Sequence, residues 1–179
     1  QLQAKGERLN IAEVFGSRLP PASNAAPALG PIIAQLPSPN YDGLPRLMQP
    51  LPSGRARVAW QYAVLPTERS TNLWPALRQA REANRDLLLE ARNALQRPVL
   101  IFALNLSAGL AAPLPHLSQM KALALWLSAE TALELHDGQP EAAWASARAL
   151  AQLVGHWEEP ILISQLVRGA MTAISVAPT

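Results

Sequence analysis

Hydrophobic positions recur three and four residues apart through most of the second half of this chain and lose that rhythm in the first third. Leu73, Leu77, Ala80, Leu87 or Leu88, Ala91 and Leu95 form one such stripe, and side chains at that spacing share one face of an α-helix. The stripe predicts a long helix from Thr71 or Asn72 to about Leu95. Pro75 falls in its first turn, where a missing N–H leaves no bond unmade. Asn84 interrupts the stripe and is the one polar residue in it expected to be buried. On the other face Arg78 and Glu82, and Glu82 and Arg85, stand at pairing distance.

From Pro115 onward the pattern predicts three more helices with almost no connection between them, over about 115–135, 140–156 and 160–175. The two junctions are built alike, "HDGQP" at 136–140 and "HWEEP" at 156–160. In each, a histidine ends one helix and a proline opens the next. Proline suits the first helical position. Asp137, Glu141, Glu158 and Glu159 suit positive helix N-termini, and a histidine suits a negative C-terminus. For the adjacent acids Glu158 and Glu159 this placement explains more than acid–base chemistry does. Connections this short make neighbouring helices pack close to antiparallel, and a unit of about 20 residues per helix and turn is that of αα-hairpin arrays.

The last helix lies in "EEPILISQLVRGAMTAIS". Ile163, Leu166 or Val167, Ala170 and Ile174 predict its apolar face, and Ser164, Gln165, Arg168, Thr172 and Ser175 its polar one. At about 16 residues with Arg168 in the middle it is too short and too two-sided to span a bilayer. It reads as a packing helix, and its uncovered end leads us to expect further chain after Thr179. Gln1 in place of a methionine likewise leads us to expect a processed or truncated product, any leader or anchor of which would lie upstream.

The first third is organised differently. Ten of the seventeen prolines fall within residues 20–66, which excludes continuous helix there. Asn10 and Glu13 have capping-box spacing ahead of a short helix that Gly16 stops. Ser23 or Asn24 offers a second cap, for a helix that Gly30 and Pro31 kink or end. Residues 37–54 form a Pro-rich connection with a turn at "NYDG", a candidate docking segment laid across the helices. Val58, Trp60, Tyr62 and Val64 alternate as in a strand, yet only 98–104 offers a partner, so helix or irregular chain is expected at 55–66. The expected organisation is a Pro-rich extended N-terminal arm at 1–66 with short helices, followed by an all-α domain at 67–179. That domain is expected to be an antiparallel helical-hairpin array.

Composition supports helix, since alanine and leucine dominate and aromatics are few. The chain has no cysteine, which excludes disulfides, thiol nucleophiles and thiolate metal sites. A net charge of +2 is too small to point to nucleic acid, and no basic–aromatic interleaving of the single-strand-binding kind occurs. The distribution of charge says more. Arg46 to Arg97 holds nine arginines against four acids, whereas Glu130 to Glu159 holds six acids against Arg148 alone. The two halves either attract each other, within the fold or between copies, or form solvated helix faces of opposite sign.

Signatures of catalysis are missing. No nucleophile elbow, P-loop, dinucleotide fingerprint or zinc-protease motif occurs, so an enzyme is not expected. His116, His136 and His156 stand 20 residues apart, which in antiparallel helices puts alternate histidines at one end of a bundle. They are the candidate ligands of a haem, pigment or metal, weighed against helix-end histidines that complement the dipole. The second reading is favoured, and no cofactor is expected. Trp126, Trp144 and Trp157 have the placement of packing residues, with an exposed partner surface as the alternative.

Two resemblances add to this. "ELHDGQPEAAWASARAL" at 134–150 resembles the second half of a tetratricopeptide-type repeat, with Gly138 as the turn glycine and Ala143 as the small residue of its second helix. Thr131 and Glu134 depart from the repeat's first-helix pattern. "AKGERLNIAEV", "NAAP" at 24–27 and "EEPILISQLVR" together resemble a poorly characterised group of bacterial envelope proteins. In that group one N-terminal membrane helix precedes an all-helical extracytoplasmic part. The resemblance implies an extracytoplasmic, periplasmic-side location and brings no catalytic residue with it. The function expected is a scaffolding or interaction subunit of an envelope or membrane-associated assembly. It would bind protein partners through helix grooves and the extended arm, with Trp60, Trp74, Gln165 and Arg168 as interface candidates. The alternative is a helical bundle that holds a cofactor through its histidines.

Overall fold

The computed structural model describes residues 21–37, 74–103, 114–157, 159 and 162–176. The helix expected at 10–16, most of the Pro-rich connection, and residues 55–66 with Trp60 lie outside them. The described chain is all-helical, with six α-helices and no strand among the described residues. They are α1 Ala26–Gln35, α2 Trp74–Ala83, α3 Arg85–Ala94, α4 His116–His136, α5 Pro140–Gly155 and α6 Leu162–Val176, with a 3-10 turn at Pro21–Ser23 before α1.

Helix α4 is the axis of the fold. Its sequence is apolar on every side, and fourteen of its side chains are buried around its whole circumference. Such a helix needs neighbours all round. It has them: α1, α2, α5 and α6 all pack on it, while α3 packs on α1. The main core joins Leu29 and Ile33 of α1, Leu88 of α3, Met120, Leu123 and Leu127 of α4, Leu153 of α5 and Met171 of α6. A satellite cluster of Leu77, Ala129 and Leu133, with Trp74 against it, seats α2 on the far end of α4.

Helix α1 runs through Gly30 and Pro31 rather than ending there. Pro27 and Pro31, one turn apart, are both exposed, so the carbonyl deprived of its partner faces solvent and the inner face stays regular. That face carries Ala26, Leu29, Ile32 and Ile33 into the core.

Asn24, one of the two expected caps, stands one residue before the N-cap position, which Ala25 holds without a side-chain cap bond. The Asn24 Oδ1 accepts from Ala26 N at 3.1 Å and from Ile101 N at 3.0 Å, and its Nδ2 donates to Ile101 O at 2.8 Å. The side-chain amide thereby pairs with the backbone of residue 101 as a neighbouring strand would. Extended residues 99–101 are sandwiched: Asn24 bridges Val99 in parallel on one side, and Trp157 bridges Leu100 on the other. Residues 99 and 100 thus form isolated pairings with the start of α1 and the end of α5.

The long helix expected from 71 to 95 is divided at Asn84 into α2 and α3. Asn84 is half-buried, and its Nδ2 donates to Ala80 O at 2.9 Å. This side-chain bond competes with the helical ladder, as short amides do within helices.

The two similar junctions fold differently. After α4, Gly138 takes φ 70°. Gln139 N donates to Glu134 O at 2.8 Å and Gly138 N to Leu135 O at 3.1 Å, the paired closure of a Schellman motif whose left-handed position glycine occupies without strain. Pro140 then opens α5. After α5 no glycine follows. His156 closes the helix through Gln152 O, and the chain extends into Trp157.

Candidate functional site

Two buried polar clusters stand out in this helical body. The first joins four helices. Glu130 and Glu134 lie one turn apart on α4 and are 2% and 3% exposed, where isolated carboxylates would be strongly disfavoured. Arg81 of α2 and Arg92 of α3 supply the countercharge. Arg81 Nε donates to Glu130 Oε1 at 3.2 Å, and its Nη2 lies 3.7 Å from Glu134 Oε1. Arg92 Nη1 lies 3.5 Å from Glu134 Oε1 and donates to Ser146 Oγ of α5 at 2.9 Å. Ser146, itself wholly buried, donates onward to Glu134 Oε2 at 2.7 Å.

The two glutamates are not equivalent. Glu134 accepts a hydrogen bond from Ser146 and has both arginines within ion-pair reach, whereas Glu130 Oε2 has no hydrogen-bond partner among the described residues. Burial raises the Glu130 carboxyl above the ordinary glutamate value, against the lowering pull of Arg92 and Arg81. The basic half of the chain does meet the acidic half within the fold, with Arg78 and Asp137 adding an outer pair at 2.6 Å. Ion pairs from Arg81 and Arg92 to both carboxylates tie α2 and α3 to α4 through one buried polar cluster.

The second cluster pins α6 to the start of α4. Glu159, between α5 and α6, is 2% exposed. His116 Nε2 lies 2.8 Å from its Oε1 and 3.1 Å from its Oε2, and Ser164 Oγ donates to Oε2 at 2.6 Å. Gln165 Nε2 donates to the Glu159 carbonyl oxygen. Phe102 stacks on the His116 ring at 4.5 Å and Trp157 meets it edge-on at 6.5 Å. Serine and histidine both address the carboxylate and not each other. This is the wrong order for activating a nucleophile, which needs its base beside it.

Burial alone pushes the Glu159 carboxyl up. Hydrogen bonds from His116 and Ser164, with the nearby indole N–H of Trp157, outweigh burial and hold it below 4.5, the ordinary value. A carboxyl depressed by folding contributes stability above its unfolded value, and that contribution is lost as pH falls through the folded one. We therefore expect acid unfolding followed by circular dichroism to show a steeper loss below about pH 4.5 in the native chain than in Glu159→Gln. Glu130, shifted the other way, works against this trend: its proton is held more tightly in the fold, so acidification relieves it.

The three histidines do not converge. His116 and His136 sit at opposite ends of α4, about 30 Å apart at 1.5 Å per residue. His136 stacks on Trp74 at 4.0 Å, near the Gly138 turn. His156 is at the His116 end, where its carbonyl accepts from Leu100 N. Among the described residues no group of three His, Asp or Glu side chains is placed to hold a metal ion. The depression beside Pro75, Arg78, Gln79, Glu82 and Ala83 is open surface along α2.

Of the interface candidates, Trp74 is occupied by the His136 stack and Trp60 lies outside the described residues. Gln165 is exposed and Arg168 half-buried on α6. Trp126 and Trp157 are core residues, and the Trp126 indole donates to Pro37 O at 3.0 Å. Trp144 departs from the packing role expected of it and is 69% exposed.

Helix α6 keeps part of the predicted pattern, with Val167 and Ile174 packed half-buried against the core and Gln165 and Thr172 exposed. Met171 fills the core, while Ile163, Leu166, Ala170 and Ala173 face outward three and four residues apart. Ser164, expected on the polar face, is buried instead, where its hydroxyl donates to the Glu159 carboxylate at 2.6 Å.

Sequence reasoning did not single out Glu130 and Glu159 as buried acids. For Glu130 and Glu134 a signal exists: acids one turn apart in a segment apolar on every side have no solvated face to occupy. Glu159 carries no such mark. No family model, curated protein or solved structure matches this chain.

Proposed function

We propose that this protein is an interaction subunit that binds protein partners through its α5–α6 surface, within a bacterial envelope or membrane-associated assembly. One observation carries the reading. Trp144 on α5 and Ile163 and Leu166 on α6 are 69%, 51% and 67% exposed on two helices that pack on each other. Scattered apolar residues on a surface are ordinary, but an outward tryptophan together with a repeating apolar stripe is the composition of a partner surface. The envelope setting rests on the sequence resemblance. No described helix is long and apolar enough to cross a membrane.

The α4–α5 hairpin, closed by its glycine turn and followed by α6, supports a tetratricopeptide-like unit with the partner seated in a helix groove. The ionic cluster then serves to keep the supporting helices in register. The test compares native chain with Trp144→Ser combined with Leu166→Ser in gentle pull-downs from detergent-solubilised envelopes. We expect a defined partner to co-purify with the native chain and to fall by about tenfold or more with the double variant, the scale of losing interface anchors. Circular dichroism should show both chains equally helical. A native chain that stays monomeric and captures nothing, or a double variant that captures the same partner equally well, would overturn the proposal.

A further inference from the structure

We infer that α6 is a separately opening element, held closed by the Glu159 clasp and released from α4 and α5 without unfolding of the rest. The inference starts from an imbalance of burial. Helix α4 buries fourteen side chains and α5 five. Among the side chains described on α6, only Ser164 and Met171 are buried, with Val167, Arg168, Ile174 and Ser175 half-buried. Its large residues Ile163 and Leu166 contribute to solvent-facing surface instead. A helix with so few buried apolar contacts belongs to the low-stability end of a fold, where local opening precedes global unfolding.

What compensates is polar and concentrated at one point. The first turn of α6 is tied to the first residue of α4 through a single buried carboxylate, whose Oε2 accepts from Ser164 Oγ at 2.6 Å and meets His116 Nε2 at 3.1 Å. The backbone carbonyl of the same residue takes Gln165 Nε2. Hydrogen bonds to an ionised acceptor are stronger than neutral ones, and a buried group deprived of its partner is costly. Loss of the carboxylate charge therefore weakens closure at the α4–α6 contact, and among the described residues no hydrogen bond or ion pair joins Glu159 to α1, α3 or α5. On opening, Met171 leaves the core and a helix-wide groove is bared along α4 and α5.

The opening is a property of this chain alone, so its failure would leave the partner reading standing, and the reverse. Native-state hydrogen exchange of the full chain, read by mass spectrometry over each helix, tests it. We expect α6 amides to exchange faster than those of α4 and α5 and with little dependence on low denaturant, the mark of a small opening. Glu159→Gln should speed exchange in α6 by about tenfold or more, with α1, α3 and α5 unchanged. Ser164→Ala should act in the same direction by a smaller factor, and it decides the matter if Glu159→Gln does not fold. Exchange of α6 in step with α4 and α5, or variants that speed every helix equally, would overturn the inference.

Discussion

Replacing Arg92 with alanine is expected to cost about 3–5 kcal/mol at neutral pH, the penalty for removing one partner of a buried ion pair. Arg92 lies within 4 Å of both buried glutamates, 3.9 Å from Glu130 Oε2 and 3.5 Å from Glu134 Oε1, and holds Ser146 as well. Without it two carboxylates remain beside Arg81 alone. It is also the strongest influence that keeps the buried Glu130 carboxyl from rising further.

The cost should therefore depend on pH. A carboxyl raised by folding binds its proton more tightly in the folded chain, so the fold gains relative stability as pH falls through the folded value and loses it as pH rises. In Arg92→Ala this effect grows, and urea unfolding at pH 5 should show a smaller deficit than at pH 8. Combining Arg92→Met with Glu134→Gln should cost less than the sum of the two single changes, since the second removes the charge that the first leaves unpaired. Equal deficits at both pH values, or strict additivity, would contradict a coupled cluster.

The helices around this cluster were largely legible in the chain, and the cluster was not. Helices α4 and α5 follow from repeating apolar positions, a glycine at the left-handed position and a proline at the next helix start. All of these act within a few residues of themselves. The opposite charge of the two halves was equally plain. Which arginine meets which acid is another matter. It depends on how α2 lies along α4 and how α3 lies on α1, a register set in part by Leu77 seating against Ala129 and Leu133, more than fifty positions away.

The same limit explains α6. Periodicity assigns apolar residues inward, and it has no means of knowing that a carboxylate beyond the helix is buried and bonded to a serine. Asn84 falls between the two cases. Its interruption of the stripe was visible, but Asn84 is half-buried at the break between α2 and α3, where its side chain bonds Ala80 O.

Trp157 is where these long-range constraints meet, and Trp157→Ala is expected to destabilise the fold by about 3–5 kcal/mol, the range for truncating a large buried aromatic. The residue is 1% exposed. Its backbone bridges Leu100, which is wholly buried, and its ring stands edge-on to His116. Alanine would leave a cavity bordered on one side by the 99–101 segment and on the other by the clasp, and neither can collapse freely. Asn24 holds residue 101 by two hydrogen bonds, while Glu159 holds His116. A site that cannot relax keeps the full cavity penalty. Trp157→Phe should cost less than half as much. It keeps an aromatic edge for His116 and most of the buried volume, and so leaves a smaller cavity. Denaturant unfolding of both variants measures the difference. Equal losses would mean that the polar end of the ring, and not its bulk, carries the contact.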